Sequence, residues 1–153
     1  MVFTGRVSAV KSPAELTELF RSQGLKITPQ RVAIFEALHG NDAHPTADSV
    51  YDTVVSDMPS ISLRTVYQTL NDLTSMGELD QLQLGAGSAR FDPNTSPHHH
   101  AVCERCGKVC DLAVDFDDVR MPRARAGELQ GFRVTATEVV FRGLCQGCQA
   151  NDP

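Results

Sequence analysis

Apolar residues recur at helical spacing through the first half of the chain, and each run is introduced by a serine or threonine. Ser12-Pro13 reads as an N-cap followed by proline at the first helical position, opening a helix that ends near Gly24. Thr28-Pro29 repeats the device, and Val32, Ile34, Phe35 and Leu38 form an apolar stripe before Gly40. Thr46 caps a third predicted helix through Val50, Tyr51, Val54 and Val55, stopped by Pro59. Ser62 caps a fourth, with Leu63, Val66, Tyr67, Leu70 and Leu73 in phase and Gly77 as terminator. The polar side of this last helix carries Arg64, Thr65, Gln68 and Thr69.

Beyond Gly77 the period changes. Glu78–Leu84 alternates in part, residues 85–87 (Gly-Ala-Gly) form a turn, and Ser88–Phe91 resumes extended structure, which predicts a hairpin. Pro93, Asn94, Ser96 and Pro97 mark a hinge. The second half is β-rich: short strands are expected at His98–Cys103 and Lys108–Val114, and one or two more within Phe132–Leu144. Asp117–Ala126 reads as a short helix weakened by Pro122. The fold class is therefore α+β.

Composition is that of a globular protein, with 41% apolar and 22% charged residues in 153. No apolar run approaches the roughly 20 residues that span a bilayer. The N-terminus, MVFTGRVSAVKSP, lacks the sustained apolar stretch of a secretory signal, so a cytoplasmic location is expected. The formal net charge of −5 argues against a generally basic nucleic-acid-binding surface. Neither half departs from this: residues 1–90 carry 7 basic and 10 acidic side chains, and the remainder 7 and 9. DNA binding then requires a local basic face.

Four of the five cysteines fall in two CxxC pairs, Cys103/Cys106 and Cys145/Cys148, separated by 38 residues. Each pair sets two thiolates on one side of a tight turn, and two such knuckles complete a closed tetrahedral Zn²⁺ shell. A thioredoxin-like redox pair is the rival reading, but that motif opens a helix, whereas Cys106 leads into a strand. Cys110 reads as a small core residue.

Asp92, His98, His99, His100 and Asp111 flank the first knuckle. Strand alternation sends His98 and His100 to one face and His99 to the other. Two such imidazoles beside carboxylates suit Fe²⁺, Mn²⁺ or Zn²⁺, in weaker and more exchangeable binding than four thiolates give. Three successive histidines could also be surface polar residues, and isolated His39 and His44 carry no signal of their own. Three helices and a hairpin, with the last helix polar at its N-terminal end, follow winged helix–turn–helix order. Arg64 and Gln68, one turn apart, suit guanine and adenine edges; a helical bundle with a solvated face is the alternative.

Taken together, the stretches LKITPQRVAIFEAL, AHPTADSVYD, SLRTVYQTLNDL, ARFDPNTSPHHHAVCERCGKVCDL and GLCQGC resemble the ferric uptake regulator superfamily from about Leu16 to Cys148. The resemblance implies a winged-helix DNA-binding domain (1–91), a hinge (92–97) and an α/β dimerisation and metal-binding domain (98–153). It implies structural zinc on Cys103, Cys106, Cys145 and Cys148, and operator contacts from Arg64, Thr65, Tyr67 and Gln68 in a homodimer. It does not imply an enzyme, a membrane partner or a small-molecule substrate. The peroxide-sensing branch places its regulatory ligands where this chain has His44, Asp92, His98, His100 and Asp111. The iron-uptake branch has glutamate at the position of Asp92 and a histidine at that of Thr137. The branch implied is therefore a peroxide-responsive repressor using Fe²⁺ or Mn²⁺, in which peroxide oxidises His44 or His98. Open alternatives are an iron- or zinc-uptake repressor of the same fold, and a zinc-ribbon interaction module. An enzyme of another class, a metal-dependent hydrolase or oxygenase, is disfavoured by the absence of a spare carboxylate base.

Overall fold

A computed structural model describes residues 10–85, 87–112, 125, 128, 130–134 and 138–150. The chain divides into two units, Met1–Ser96 and Pro97–Pro153.

In the first unit each helix begins where a hydroxyl side chain accepts an otherwise unpaired backbone N–H. Helix α1 (Pro13–Ser22) has a capping box, with Ser12 accepting from the Glu15 backbone while the Glu15 carboxylate accepts from the Ser12 backbone. Thr28 caps α2 (Pro29–Leu38), Thr46 caps α3 (Ala47–Val55) and Ser62 caps α4 (Leu63–Ser75). The stripes so aligned meet in one core. Leu16, Phe20, Ile34, Phe35, Val66, Leu70 and Leu73 have no exposed surface, and each such side chain contributes roughly 1.5–3 kcal/mol on burial. Phe20 and Phe35 meet edge to face at 4.9 Å.

The hairpin follows: β1 (Asp80–Leu82) pairs antiparallel with β2 (Arg90–Asp92), Gln81 opposite Phe91. One detail departs from the sequence reading. Thr69 is buried, and its hydroxyl donates to the Thr65 carbonyl at 2.9 Å, so it belongs to the packed side of α4.

In the second unit, β3 (His99–Cys103) is the central strand. It is flanked antiparallel by β4 (Val109–Leu112) and parallel by β5 (Val140–Gly143). Gly107, at φ +70, permits the turn between β3 and β4. One turn of helix, α5 (Gln146–Gln149), follows with Cys145 as its cap residue; so short a piece carries no readable periodicity. Cys110 is exposed rather than in a core. It lies opposite Ala101 on the sheet face that also carries the exposed Phe141, and β4 is an edge of the sheet among the described residues. Within Phe132–Leu144, the described strand is Val140–Gly143 alone, and Phe132–Val134 is not in a strand. The helix expected over Asp117–Ala126 lies, apart from Arg125, outside the described residues, as do Thr137 and residues 1–9. Among the described residues no helix is long and apolar enough to cross a membrane.

Candidate metal centres and candidate DNA-contact helix

The two knuckles converge within the second unit. The four sulfurs of Cys103, Cys106, Cys145 and Cys148 lie within 4.8 Å of one another, and Cys106 Sγ is 3.7 Å from Cys145 Sγ. Sulfurs 2.3 Å from a tetrahedral zinc stand about 3.8 Å apart, so the donor set and its spacing fit that ion. The backbone holds this arrangement. Cys103 N–H donates to the Lys108 carbonyl, Gly107 N–H to the Cys103 carbonyl, and Glu104 N–H to the Gly143 carbonyl, each at 2.8 Å. Arg105, inside the first knuckle, donates through Nη1 to the Cys148 carbonyl at 2.8 Å and so ties it to the second.

The thiols are electrostatically unequal. Backbone N–H groups of Cys106 and Cys145 bring the Cys103 thiol down to about 6. Hydrogen bonding among the thiols, that with Cys145 foremost, pushes Cys148 up to about 12. Four sulfurs at this spacing cannot all ionise without a cation among them.

In the first unit, β2 runs beside the segment leading into α3. Arg90 Nη1 donates to the His44 carbonyl at 3.0 Å, and Phe91 N–H donates to the Pro45 carbonyl at 2.9 Å. This places Asp92 Oδ2 3.5 Å from His44 Nε2, with both side chains almost wholly buried. The other Asp92 oxygen accepts from Asn94 N–H at 2.7 Å. His44 sits at φ +51, in the left-handed region that a non-glycine residue rarely occupies. Such strain costs on the order of 1–3 kcal/mol and collects at functional sites.

In the second unit, alternation along β3 operates as expected. His98 Nε2 and His100 Nε2 are 2.8 Å apart, while His99 Nδ1 instead accepts from Val139 N–H at 3.1 Å. Asp111 lies directly opposite His100 in the β3–β4 register, with Oδ1 3.3 Å from His98 Nε2 and 3.9 Å from His100 Nε2. Nitrogen and oxygen donors at about 2.1 Å from one ion and at right angles to each other are separated by about 3 Å, close to the His98–His100 and His98–Asp111 distances. Glu138, which the sequence reading did not single out, reaches His100 Nδ1 at 2.6 Å. Only the pairing of β5 with β3 brings it there, and no local pattern announces it.

On α4, Arg64, Tyr67 and Gln68 are exposed and Thr65 is half-buried. Tyr67 therefore leaves the apolar stripe in which its spacing had put it. Among the described basic residues of the first unit, Lys11, Arg21 and Arg31 are in ion pairs with Glu78, Glu18 and Asp72. Arg90 is engaged by His44. Lys26 and Arg64 stand outside these pairs, Arg64 at the N-terminal end of a helix whose first turn has no acidic residue. The helix dipole adds to its positive charge there.

The sequence pattern described as Ferric uptake regulator family matches residues 22–142. The chain belongs to the ferric uptake regulator family. Among the family's characterised members, the peroxide operon regulator of Bacillus subtilis (strain 168) is 38% identical over 139 residues, covering 90% of this chain and 94% of that protein. The Streptococcus pyogenes PerR structure, described in connection with peroxide sensing and gene regulation, is 30% identical. It covers 95% of this chain and 98% of its own, with a TM-score of 0.51. The Helicobacter pylori regulator Fur superposes with a TM-score of 0.70 at 19% identity, over 92% of this chain and 96% of its own, a likeness of fold. The family's mixed helix-and-strand architecture is the one described above.

Proposed function

We propose that this chain is a cytoplasmic, dimeric, metal-dependent transcription repressor that responds to peroxide. Residues 1–91 would bind operator DNA, 92–97 would be the hinge, and 98–153 would dimerise and hold metal. The observation that carries the reading is the donor chemistry. A thiolate set fits structural zinc, and separate imidazole–carboxylate sets suit a harder, exchangeable ion. Its relatives are named as regulators, with peroxide in the name of the Bacillus subtilis protein.

In this reading His44 and Asp92 from the first unit join His98, His100 and Asp111 from the second in holding one regulatory ion. Ligation from both units then selects one relative orientation, and in a dimer it sets the separation of two α4 helices against the half-site spacing of an operator. Fe²⁺ in that site would supply the reducing power that peroxide meets beside a ligating imidazole, whereas Mn²⁺ would not. His44 or His98 would be the imidazole that is oxidised, and an imidazole that has gained oxygen is a poorer donor. For dimerisation, β5 offers an edge of the β4-β3-β5 sheet with Phe141 exposed on it, a surface suited to a second copy.

The decisive test is peptide mass mapping after brief peroxide exposure of Fe²⁺-loaded protein, with Mn²⁺-loaded protein as control. A one-oxygen gain on the His44 or His98 peptide, in iron alone, is expected. Its absence while iron and DNA remain bound would make this an iron-uptake repressor.

The α4 surface yields its own expected result. Arg64→Ala weakens operator binding by about 1–3 kcal/mol, roughly 5- to 150-fold, and relaxes preference at one base position. Gel-shift titrations at fixed salt across single-base operator variants measure both; a uniform loss across all variants would reassign Arg64 to phosphate.

A further inference from the structure

His100 is the most enclosed of the second unit's proposed metal ligands, at 2% exposure. Its two ring nitrogens have different surroundings. Nε2 faces His98 Nε2 and Asp111, and Nδ1 meets Glu138 Oε1 at 2.6 Å on the other side of the ring. A neutral imidazole carries one proton, and the nitrogen that lacks it is the one able to ligate. A carboxylate beside Nδ1 holds the proton there, leaves the Nε2 lone pair toward His98 and Asp111, and fixes the ring plane.

The carboxylate is itself held by backbone. Glu138 immediately precedes Val139, whose N–H donates to His99 Nδ1 at 3.1 Å and whose carbonyl accepts from His100 N–H at 3.4 Å. Val140 then lies opposite His100 in the parallel register. The Glu138 side chain is 44% exposed, and an exposed carboxylate gains little from an ordinary ion pair. Its short contact with an enclosed ring is better explained by what it does to that ring.

We propose that Glu138 is a positioning residue for the regulatory metal, acting as a carboxylate relay that sets the tautomer and orientation of His100. This rests on the assignment of His100 as a ligand. It adds that the site's affinity depends on a residue outside the five donors, delivered by the crossover that brings β5 beside β3. Partners of this kind typically change metal affinity 10- to 100-fold.

Two measurements on the full chain test it. In protein carrying zinc but no Mn²⁺, at a pH where the histidines are neutral, long-range ¹H–¹⁵N correlation should show His100 protonated at Nδ1. In Glu138→Ala the Nε2-protonated form should appear. Calorimetric titration with Mn²⁺ should then give 10- to 100-fold weaker binding for Glu138→Ala. Glu138→Gln, whose amide oxygen still accepts from Nδ1–H, should recover most of the wild-type affinity. An unchanged tautomer, or Mn²⁺ affinity within twofold of wild type in Glu138→Ala, overturns the proposal, since a residue that merely satisfied a buried ring would alter stability alone. Equal losses in the Ala and Gln variants would make Glu138 a direct ligand and overturn it too. Failure of wild-type protein to bind Mn²⁺ while His100 stays Nδ1-protonated would instead fault the assignment of the site.

Discussion

His44→Ala abolishes the metal-dependent gain in operator affinity while zinc content and oligomeric state stay as in the wild type. Couplings of this kind are typically worth about 1–3 kcal/mol, so a gain of roughly 5- to 150-fold on adding Mn²⁺ should fall to about onefold. The size of the effect follows from what His44 contributes in the proposed site. It and Asp92 are the ligands of the first unit, held beside each other by the Arg90 and Phe91 hydrogen bonds from β2. Without the imidazole, Asp92 remains a fully buried carboxylate deprived of its neighbour at 3.5 Å, and the first unit loses half of its donor pair. Alanine at φ +51 also brings backbone strain, so His44→Asn is the matched control, because asparagine tolerates the left-handed region. Fluorescence-anisotropy titrations of operator DNA, with and without Mn²⁺, should show the same loss in both variants. An undiminished metal response in either would remove His44 from the regulatory site.

The second large effect is expected at the thiolate cluster. Cys145→Ser should lose bound zinc and, with it, the folded second unit, while the helical signal of the first persists. The reason is an imbalance in cores. The principal apolar cluster, from Val10 to Phe91, lies wholly in the first unit. Among the described residues of the second, only Cys103 and Val109 are buried hydrophobics. With so little apolar burial among its described residues, the unit is expected to lean on its metal, and structural zinc in finger peptides binds with about 10–16 kcal/mol, as much as the whole stability of a typical domain. The Cys145 sulfur stands 3.7 Å from Cys106 Sγ, so the substitution removes a donor of the second knuckle that faces the first. Zinc quantification together with circular dichroism and two-dimensional amide spectra would detect this. Retention of β3–β5 amide dispersion after zinc loss would show that the second unit stands without the ion.

Much of this architecture is legible in local chemistry. Ser12-Pro13, Thr28-Pro29, Thr46 and Ser62 announce helix starts because a cap and its helix are neighbours in the chain, and the hairpin after Gly77 is equally local. The two CxxC pairs disclose their ion because donor type and donor count survive without coordinates. His98 and His100 could be put on one face by alternation alone. What could not be read depends on contacts made at long range. Glu138 comes to His100 through a parallel pairing, and nothing near Glu138 in the chain marks it. Cys110 was expected in a core because cysteine is often buried, yet it lies on an edge strand, on the face shared with Phe141. Thr69 looked polar by type, but its hydroxyl is spent on the carbonyl four residues earlier, which lets it pack. His44 showed no signal as an isolated histidine; its left-handed backbone and its proximity to Asp92 both arise from β2 running beside it.

The parallel register of β5 on β3 has a kinetic corollary. β4 can fold back on β3 across a short turn, but β5 must return across the whole stretch separating Leu112 from Val140, and closing a loop of that length precedes any reward from the pairing. Non-local pairing of this kind slows folding. Because the knuckles lie at the ends of β3 and β5, an ion captured by Cys103 and Cys106 gives the distant segment a place to land. The pace at which a newly synthesised chain becomes competent would then follow the zinc supply at the time of synthesis, leaving the regulatory ion to act on chains already matured.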